Sequence, residues 1–262
     1  MRKLFRLLLL LSVFFITNEN IFAQVTDIDG NTYKTVKIGD QVWMAENLRV
    51  TRFNDGSEIV FASDDSKWRG YDGKAKYTYP NFDKSLESGG FVYNSEVVYG
   101  DNNIAPEGWR VPTEEDWLNL RKFLESKYDP ENISVECEKE WESKQENCFM
   151  AQQLRSTEIW KGEDGSWNKR GKDGFGFNAK QMIVYHSGNS GGKTGFDGWS
   201  KYAGITGWYS STIEVVEHPG SDVMAAGTYE YTKNVKLGIE SNIKFNESDD
   251  YVTGMYIRLI KE

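Results

Sequence analysis

The stretch Ala105 to Trp117, APEGWRVPTEEDW, decides the fold. Pro106-Glu107-Gly108 is turn chemistry: proline presets φ, and glycine adopts conformations closed to other residues. Trp109-Arg110-Val111 alternates apolar and polar, as a short half-buried strand does. Pro112 holds the residue before it extended. Thr113-Glu114-Glu115-Asp116 then has the form of a capping box, with Asp in place of Glu or Gln. Its three acids lie where a helix dipole favours negative charge. Trp117, Leu120 and Leu124 recur at i, i+3 and i+7 with Phe123 beside them, so one stripe of a helix ending near Lys127 faces a core.

Upstream, Asp27-Ile28-Asp29-Gly30-Asn31 is similar in composition to a calcium loop. Its glycine comes two positions early and no Glu closes it, so a β-hairpin turn fits better. Thr32 to Ile38 alternates as a strand, Gly39-Asp40 turns and Gln41 to Met44 returns. This hairpin is expected at an edge of the main sheet. Ser63 to Pro80, with Trp68, Tyr71, Tyr77 and Tyr79, reads as a long surface loop, and Phe91 to Asn94 as a strand. Downstream, a second helix is expected within Glu136 to Ser156, and Phe175 and Phe177 should enter the core. Met182 to Tyr185 reads as a short strand. His186 to Lys201 is glycine-rich but lacks the phosphate-loop pattern. Gly204–Thr212, Tyr229–Ile239 and Tyr251–Ile260 read as strands, the last pairing with the N-terminal hairpin.

Met1 to Ala23 reads as a secretory signal: a basic start at Arg2, Lys3 and Arg6, a short apolar run from Leu7 to Ile16, and small Ala23 at the cleavage site. Residues 24–262 then form a single domain with an insertion around 129–150. The apolar run is too short for a comfortable membrane span, and no second long run follows, so no membrane span is expected. The net charge is −9. Removing the leader, with three basic residues and Glu19, gives −9 − (+2) = −11. Such an acid surplus disfavours nucleic acid as a partner. Aromatic residues make up 14% of the chain, with nine Trp, so the core relies on large rings. In an exported chain, Cys137 and Cys148 allow a disulfide closing a short acidic loop.

Several blocks resemble a known family. Asp27 to Tyr33, Trp43-Met44-Ala45-Glu46-Asn47-Leu48-Arg49 and Asn54-Asp55-Gly56 look like the opening of the Fibrobacter succinogenes major paralogous domain. Pro106 to Thr113 with Trp117 resembles its central block. Gly174-Phe175, Trp208-Tyr209-Ser210-Ser211 and Tyr256-Ile257-Arg258 resemble later ones. The central block is also similar to that of the formylglycine-generating enzymes, whose group resembles the C-type lectin-like fold. The resemblance implies an α+β, C-type lectin-like fold, loop-rich and mixed, with few helices and with N- and C-terminal strands in one sheet. It also implies cysteines where this chain has Ala105 and Leu259. Joint loss of both is what loss of a bond between them would leave, with apolar contact in its place.

The chemistry-bearing residues point away from catalysis. No cysteine follows Cys148, so a late cysteine pair for copper chemistry of the formylglycine-generating type is missing. His186 and His218 are the only histidines, and no nucleophile elbow accompanies them. No catalytic residue is assigned and no cofactor is expected beyond a structural calcium, for which Asp164, Asp173 and Asp197 are the candidate oxygen ligands. Trp68, Tyr71 and Trp199 sit in polar, glycine-rich surroundings and are the candidate ligand-binding aromatics. The function expected is an exported, non-catalytic recognition or adhesion module binding glycan or protein at the cell surface. The alternatives are an enzyme on the same scaffold or a structural subunit of a surface assembly.

Overall fold

The computed structural model describes residues 24–69, 72–129, 131, 145–161, 168–181, 205–218, 227–238, 243–249 and 254–262. The strands are β1 (Gln24–Thr26), β2 (Thr32–Ile38), β3 (Gln41–Met44), β4 (Val60–Phe61), β5 (Lys76–Thr78), β6 (Val92–Tyr93), β7 (Trp109–Arg110), β8 (Ile159–Lys161), β9 (Asn168–Arg170), β10 (Ile205–His218), β11 (Gly227–Gly238), β12 (Ile243–Asp249) and β13 (Ile260–Lys261). The helices are short: α1 (Asp65–Arg69), α2 (Glu96–Tyr99), α3 (Glu114–Glu125) and α4 (Gln145–Leu154). This is a mixed architecture with few helices, as expected.

The main sheet runs β1-β2-β3-β13-β7, antiparallel throughout. The first and last described strands therefore share it. Ile260 pairs with Trp43 on one side and with Arg110 on the other. The β2–β3 hairpin, expected at an edge, lies one strand in, because β1 pairs with the outer side of β2; Thr35 stands opposite Met44 and Ile38 opposite Gln41. Smaller sheets follow the orders β10-β11-β12, β4-β5-β6 and β8-β9.

The central corner forms as its chemistry requires. Gly108 has φ +75°, and the Trp109 N–H closes the turn onto the Pro106 carbonyl at 3.0 Å. The Thr113 hydroxyl accepts the Asp116 N–H at 3.2 Å, and the Asp116 carboxylate accepts the Thr113 N–H at 2.7 Å. Asp116 also takes both ends of the Arg110 guanidinium. Burial alone would raise the Asp116 pKa, but the bonds from Arg110 and Thr113 outweigh it and hold the carboxyl below its usual range.

Neighbouring residues along the strands go to opposite layers, as a pleat dictates. Trp43, Val92, Trp208, Tyr256 and Ile260 enter one apolar cluster, and Met44, Tyr93, Tyr209, Ile257 and Leu259 enter the other. The second cluster also holds fully buried Ala105, so apolar packing occupies both positions where the resemblance implies cysteines. The first contains a box of rings. Trp43 and Trp117 lie 4.7 Å apart between centroids, and Phe177 and Trp208 lie 5.4 Å apart. Phe177 is fully buried, as expected, and Phe175 packs partly buried against the cluster.

A buried cation closes this box. Arg258 is 1% exposed, and its guanidinium sits 4.3 Å from the Phe177 ring centre and 5.2 Å from that of Trp208. It donates to the Phe177 carbonyl and twice to the Asn47 Oδ1. The same Asn47 oxygen accepts the Trp208 indole N–H at 2.8 Å. Asn47 Nδ2 donates to the Gly89 carbonyl, and a Cβ on Gly90 would come within 2.4 Å of the Asn47 Cβ. Burial lowers the Arg258 pKa to about 9, against the opposing fields of Asp173 and Glu46.

Segment 254–261 touches nearly every part. Met255 exchanges backbone bonds with Tyr93, Tyr256 bonds with Gly207 and Tyr209, and the Ile257 and Leu259 carbonyls accept from Leu48 and Met44.

The expected surface loop Ser63 to Pro80 is not one. It contains α1 and β5, and it buries Trp68. The expected strand Met182 to Tyr185 and the glycine-rich loop lie outside the described residues, as does the leader. No helix among the described residues is long and apolar enough to cross a membrane.

Candidate functional site

The aromatic surface lies on β4-β5-β6. Parallel pairing sets Phe61 beside Tyr77, and antiparallel pairing sets Tyr77 beside Tyr93. Opposite residues in a ladder share a face. Exposure rises along this row towards the edge strand. Tyr93 is buried, Tyr77 half-buried, and Phe61 39% exposed.

Tyr79 and Phe91, two residues along, join the same face. Four rings form a closed circuit: Phe61–Tyr77 at 5.2 Å, Tyr77–Phe91 at 5.1 Å, Phe91–Tyr79 at 5.6 Å and Tyr79–Phe61 at 5.2 Å. Phe91 is the buried base and Phe61 the exposed apex. Edge-to-face, tilted and stacked contacts of this kind fix ring orientation without help from a ligand. Val60, on the same short strand, is 42% exposed. An edge strand with adjacent exposed apolar side chains is the informative kind of surface.

Polar groups flank this face. Burial raises the Tyr77 pKa, and the neighbouring Tyr79, Asp29 and Glu58 raise it further. Glu58 and Arg52 are exposed and joined by a backbone bridge. Asp29 accepts from the Thr51 N–H at 2.6 Å, the Thr51 hydroxyl at 2.8 Å and Arg52 Nε at 2.7 Å. Burial opposes its ionisation, but these bonds outweigh burial and lower its pKa. Asp27, beside it, accepts backbone N–H bonds from Asp29 and Asn31 and the Tyr33 hydroxyl at 2.6 Å. Asp27 is thus spent on its own hairpin, and Asp29 ties that hairpin to the Thr51–Arg52 segment.

The residues singled out from sequence fare differently. Trp68 is only 5% exposed. Its ring packs where a Cβ on Gly254 would meet it at 2.5 Å, so it is an anchor for the chain end and not a displayed ring. Tyr71 and Trp199 lie outside the described residues. So do Asp164, Asp197 and Cys137. Asp173 is half-buried, accepts the Asn178 N–H at 2.6 Å, and has its pKa raised by burial against that bond and the field of Arg258. Among the described residues, no group of three or more His, Cys, Asp or Glu is placed to hold a metal ion. Cys148 is fully buried in α4. The aromatic face was missed in the sequence, although Tyr77 and Tyr79 stand two apart, which is the spacing of one strand face.

Geometry defines a mixed α+β architecture with the first and last described strands in one antiparallel sheet and an aromatic edge on a smaller one. The chain belongs to the Fibrobacter succinogenes major domain family, whose model matches residues 36–261. No curated protein and no solved structure matches it.

Proposed function

We propose that this protein is an exported, non-catalytic recognition or adhesion module that binds glycan or protein at the cell surface. One observation carries this reading: the exposed Phe61 ring, braced by Tyr77, Tyr79 and Phe91 at the edge of a small sheet. Preformed aromatic surface offers contact area without an ordering cost on binding. The saturated carboxylates of Asp27 and Asp29 favour a holding role over a proton-transferring one. The export part rests on the basic-apolar leader. A glycan array and a pull-down of cell-envelope proteins test the reading, each with the parent protein and with Phe61→Ala/Tyr77→Ala. Ligands retained by the parent and lost by the double variant support it. Retention indifferent to those rings sinks it.

We further infer a C-type lectin-like variant of the α+β class, favoured by the joined chain ends and the sparse helices. An experimental structure whose strand order departs from that fold would refute it. The Cys137–Cys148 bridge belongs to the same reading. Thiol labelling in denaturant without reductant should leave both cysteines unmodified, and labelling of either under those conditions removes the bridge.

A further inference from the structure

Cleavage after Ala23 makes Gln24 the first residue of the exported chain. A glutamine in that place carries an α-amine and a carboxamide on one residue, at the separation that closes a small ring.

The structure sets the Gln24 nitrogen outside the sheet. β1 is the outer strand of the main sheet among the described residues. Gln24 stands opposite Lys34, Val25 opposite Tyr33 and Thr26 opposite Thr32. Bonded and non-bonded pairs alternate along an antiparallel ladder. Beyond the strand, the Asp27 N–H donates to the Asn31 carbonyl at 3.0 Å. By that alternation Val25–Tyr33 is a bonded pair, whereas Thr26–Thr32 and Gln24–Lys34 are not. Lys34 has the matching parity: its N–H donates to Glu46 Oε2 at 2.8 Å and its carbonyl accepts the Ala45 N–H at 2.8 Å, both away from β1. The Gln24 nitrogen thus points away from β2, and the residue is exposed. Buried Val25, paired with Tyr33, anchors the strand without it. A ring on a backbone nitrogen is tolerated where the ladder needs no donor, as with proline on edge strands.

We propose that Gln24 is a modification site, closed to pyroglutamate after export. The neutral α-amine attacks the Gln24 side-chain Cδ. The N–Cδ bond forms, the Cδ–Nε2 bond breaks, and Nε2 leaves as ammonia with the proton that the α-nitrogen sheds. No oxidant or reductant is needed. An α-amine at a chain end titrates at about pH 8, so a nucleophilic fraction is present in the neutral range. The lactam removes the terminal positive charge and leaves no free amine for an aminopeptidase. This rests on the export part of the recognition reading and goes beyond it.

The test is mass spectrometry of two preparations. In the first, a bacterial host exports the full sequence with its leader, and the N-terminal peptide is identified. In the second, the mature chain beginning at Gln24, freed from a cleavable tag, is incubated in its folded state with a glutaminyl cyclase. A peptide of residues 24–31 is treated alongside. The folded chain should lose the mass of one ammonia at a rate within a few-fold of the peptide's, and residue 24 should then resist amine labelling. Gln24→Ala in the same mature chain should keep its mass and its labelled amine. Cyclisation of the peptide but not of the folded chain overturns this proposal and leaves the export reading standing. An exported chain that begins at any other residue overturns the cleavage site and this proposal together.

Discussion

Arg258 donates through Nε and Nη2 to one side-chain carbonyl, Asn47 Oδ1, at 3.2 and 2.8 Å across 211 residues of sequence. A neutral amide thus holds a fully buried cation, helped by the faces of Phe177 and Trp208. A buried charge stripped of its acceptor is among the costlier defects in a core.

Asn47→Ala should therefore cost on the order of 3 kcal/mol, since it removes the acceptor for Arg258 and for the Trp208 indole together. Asn47→Asp should lose less at neutral pH, because a carboxylate also accepts from Arg258, and should lose part of that advantage in acid, where the protonated group keeps only a neutral carbonyl acceptor. Urea denaturation at both pH values measures the difference. An alanine variant as stable as the parent would remove the hub from the account of the fold.

The cap of α3 predicts an acid limb. The Asp116 pKa is lowered in the folded chain, so its contribution is present above about pH 4, the unfolded value, and disappears as pH falls through the folded one. Thr113→Ala should cost about 1 kcal/mol at neutral pH. Asp116→Asn should flatten the loss of thermal stability between pH 7 and strong acid. An unchanged acid slope in that variant would assign the limb to other carboxylates.

Buried phenols predict the opposite limb. Tyr93 has its pKa raised well above 10.0 by burial and by the fields of Tyr33 and Asp27, despite its bond to the Val50 carbonyl. Tyr33 is raised too, by burial and by Asp27. For a raised pKa the contribution is complete below the unfolded value near 10 and is lost as pH climbs past it. The slope approaches about 1.4 kcal/mol per pH unit for each phenol. Tyr93→Phe should be less stable at pH 8 and show a shallower alkaline decline. An identical decline would exclude Tyr93 as its source.

Gly254 leaves room for two neighbours. An added Cβ would lie 2.5 Å from the Trp68 ring and 2.6 Å from a Val92 methyl. Gly254→Ala should cost about 1–3 kcal/mol by overpacking. Shrinking the ring by Trp68→Phe in the same chain should recover part of that loss. A double-mutant cycle in urea gives the coupling; strict additivity would place the two residues out of contact.

Local chemistry made much of this readable in the sequence. The corner from Pro106 to Trp117 needs only its own turn, cap and stripe, and it forms as those residues require. Gly204–Thr212 read as a strand, and β10 begins inside it at Ile205; the pairing expected between the last stretch and the N-terminal hairpin forms at Ile260 and Trp43. Trp68 was misjudged because its neighbours are polar, while the space that admits its ring comes from a glycine near the far end of the chain. Phe61 was overlooked because exposure on an edge strand depends on which strand is missing beside it. Asn47 and Arg258 each stood inside a family-like block, yet nothing local to either says that they meet.

The late position of segment 254–261 has a consequence for biosynthesis. Its bonds to Met44, Leu48, Tyr93 and Gly207 cannot form until that segment has left the ribosome. The early hairpin must wait, unsealed, for a partner made much later. A nascent chain arrested before residue 254 would consequently remain more open to proteases than one that contains the segment.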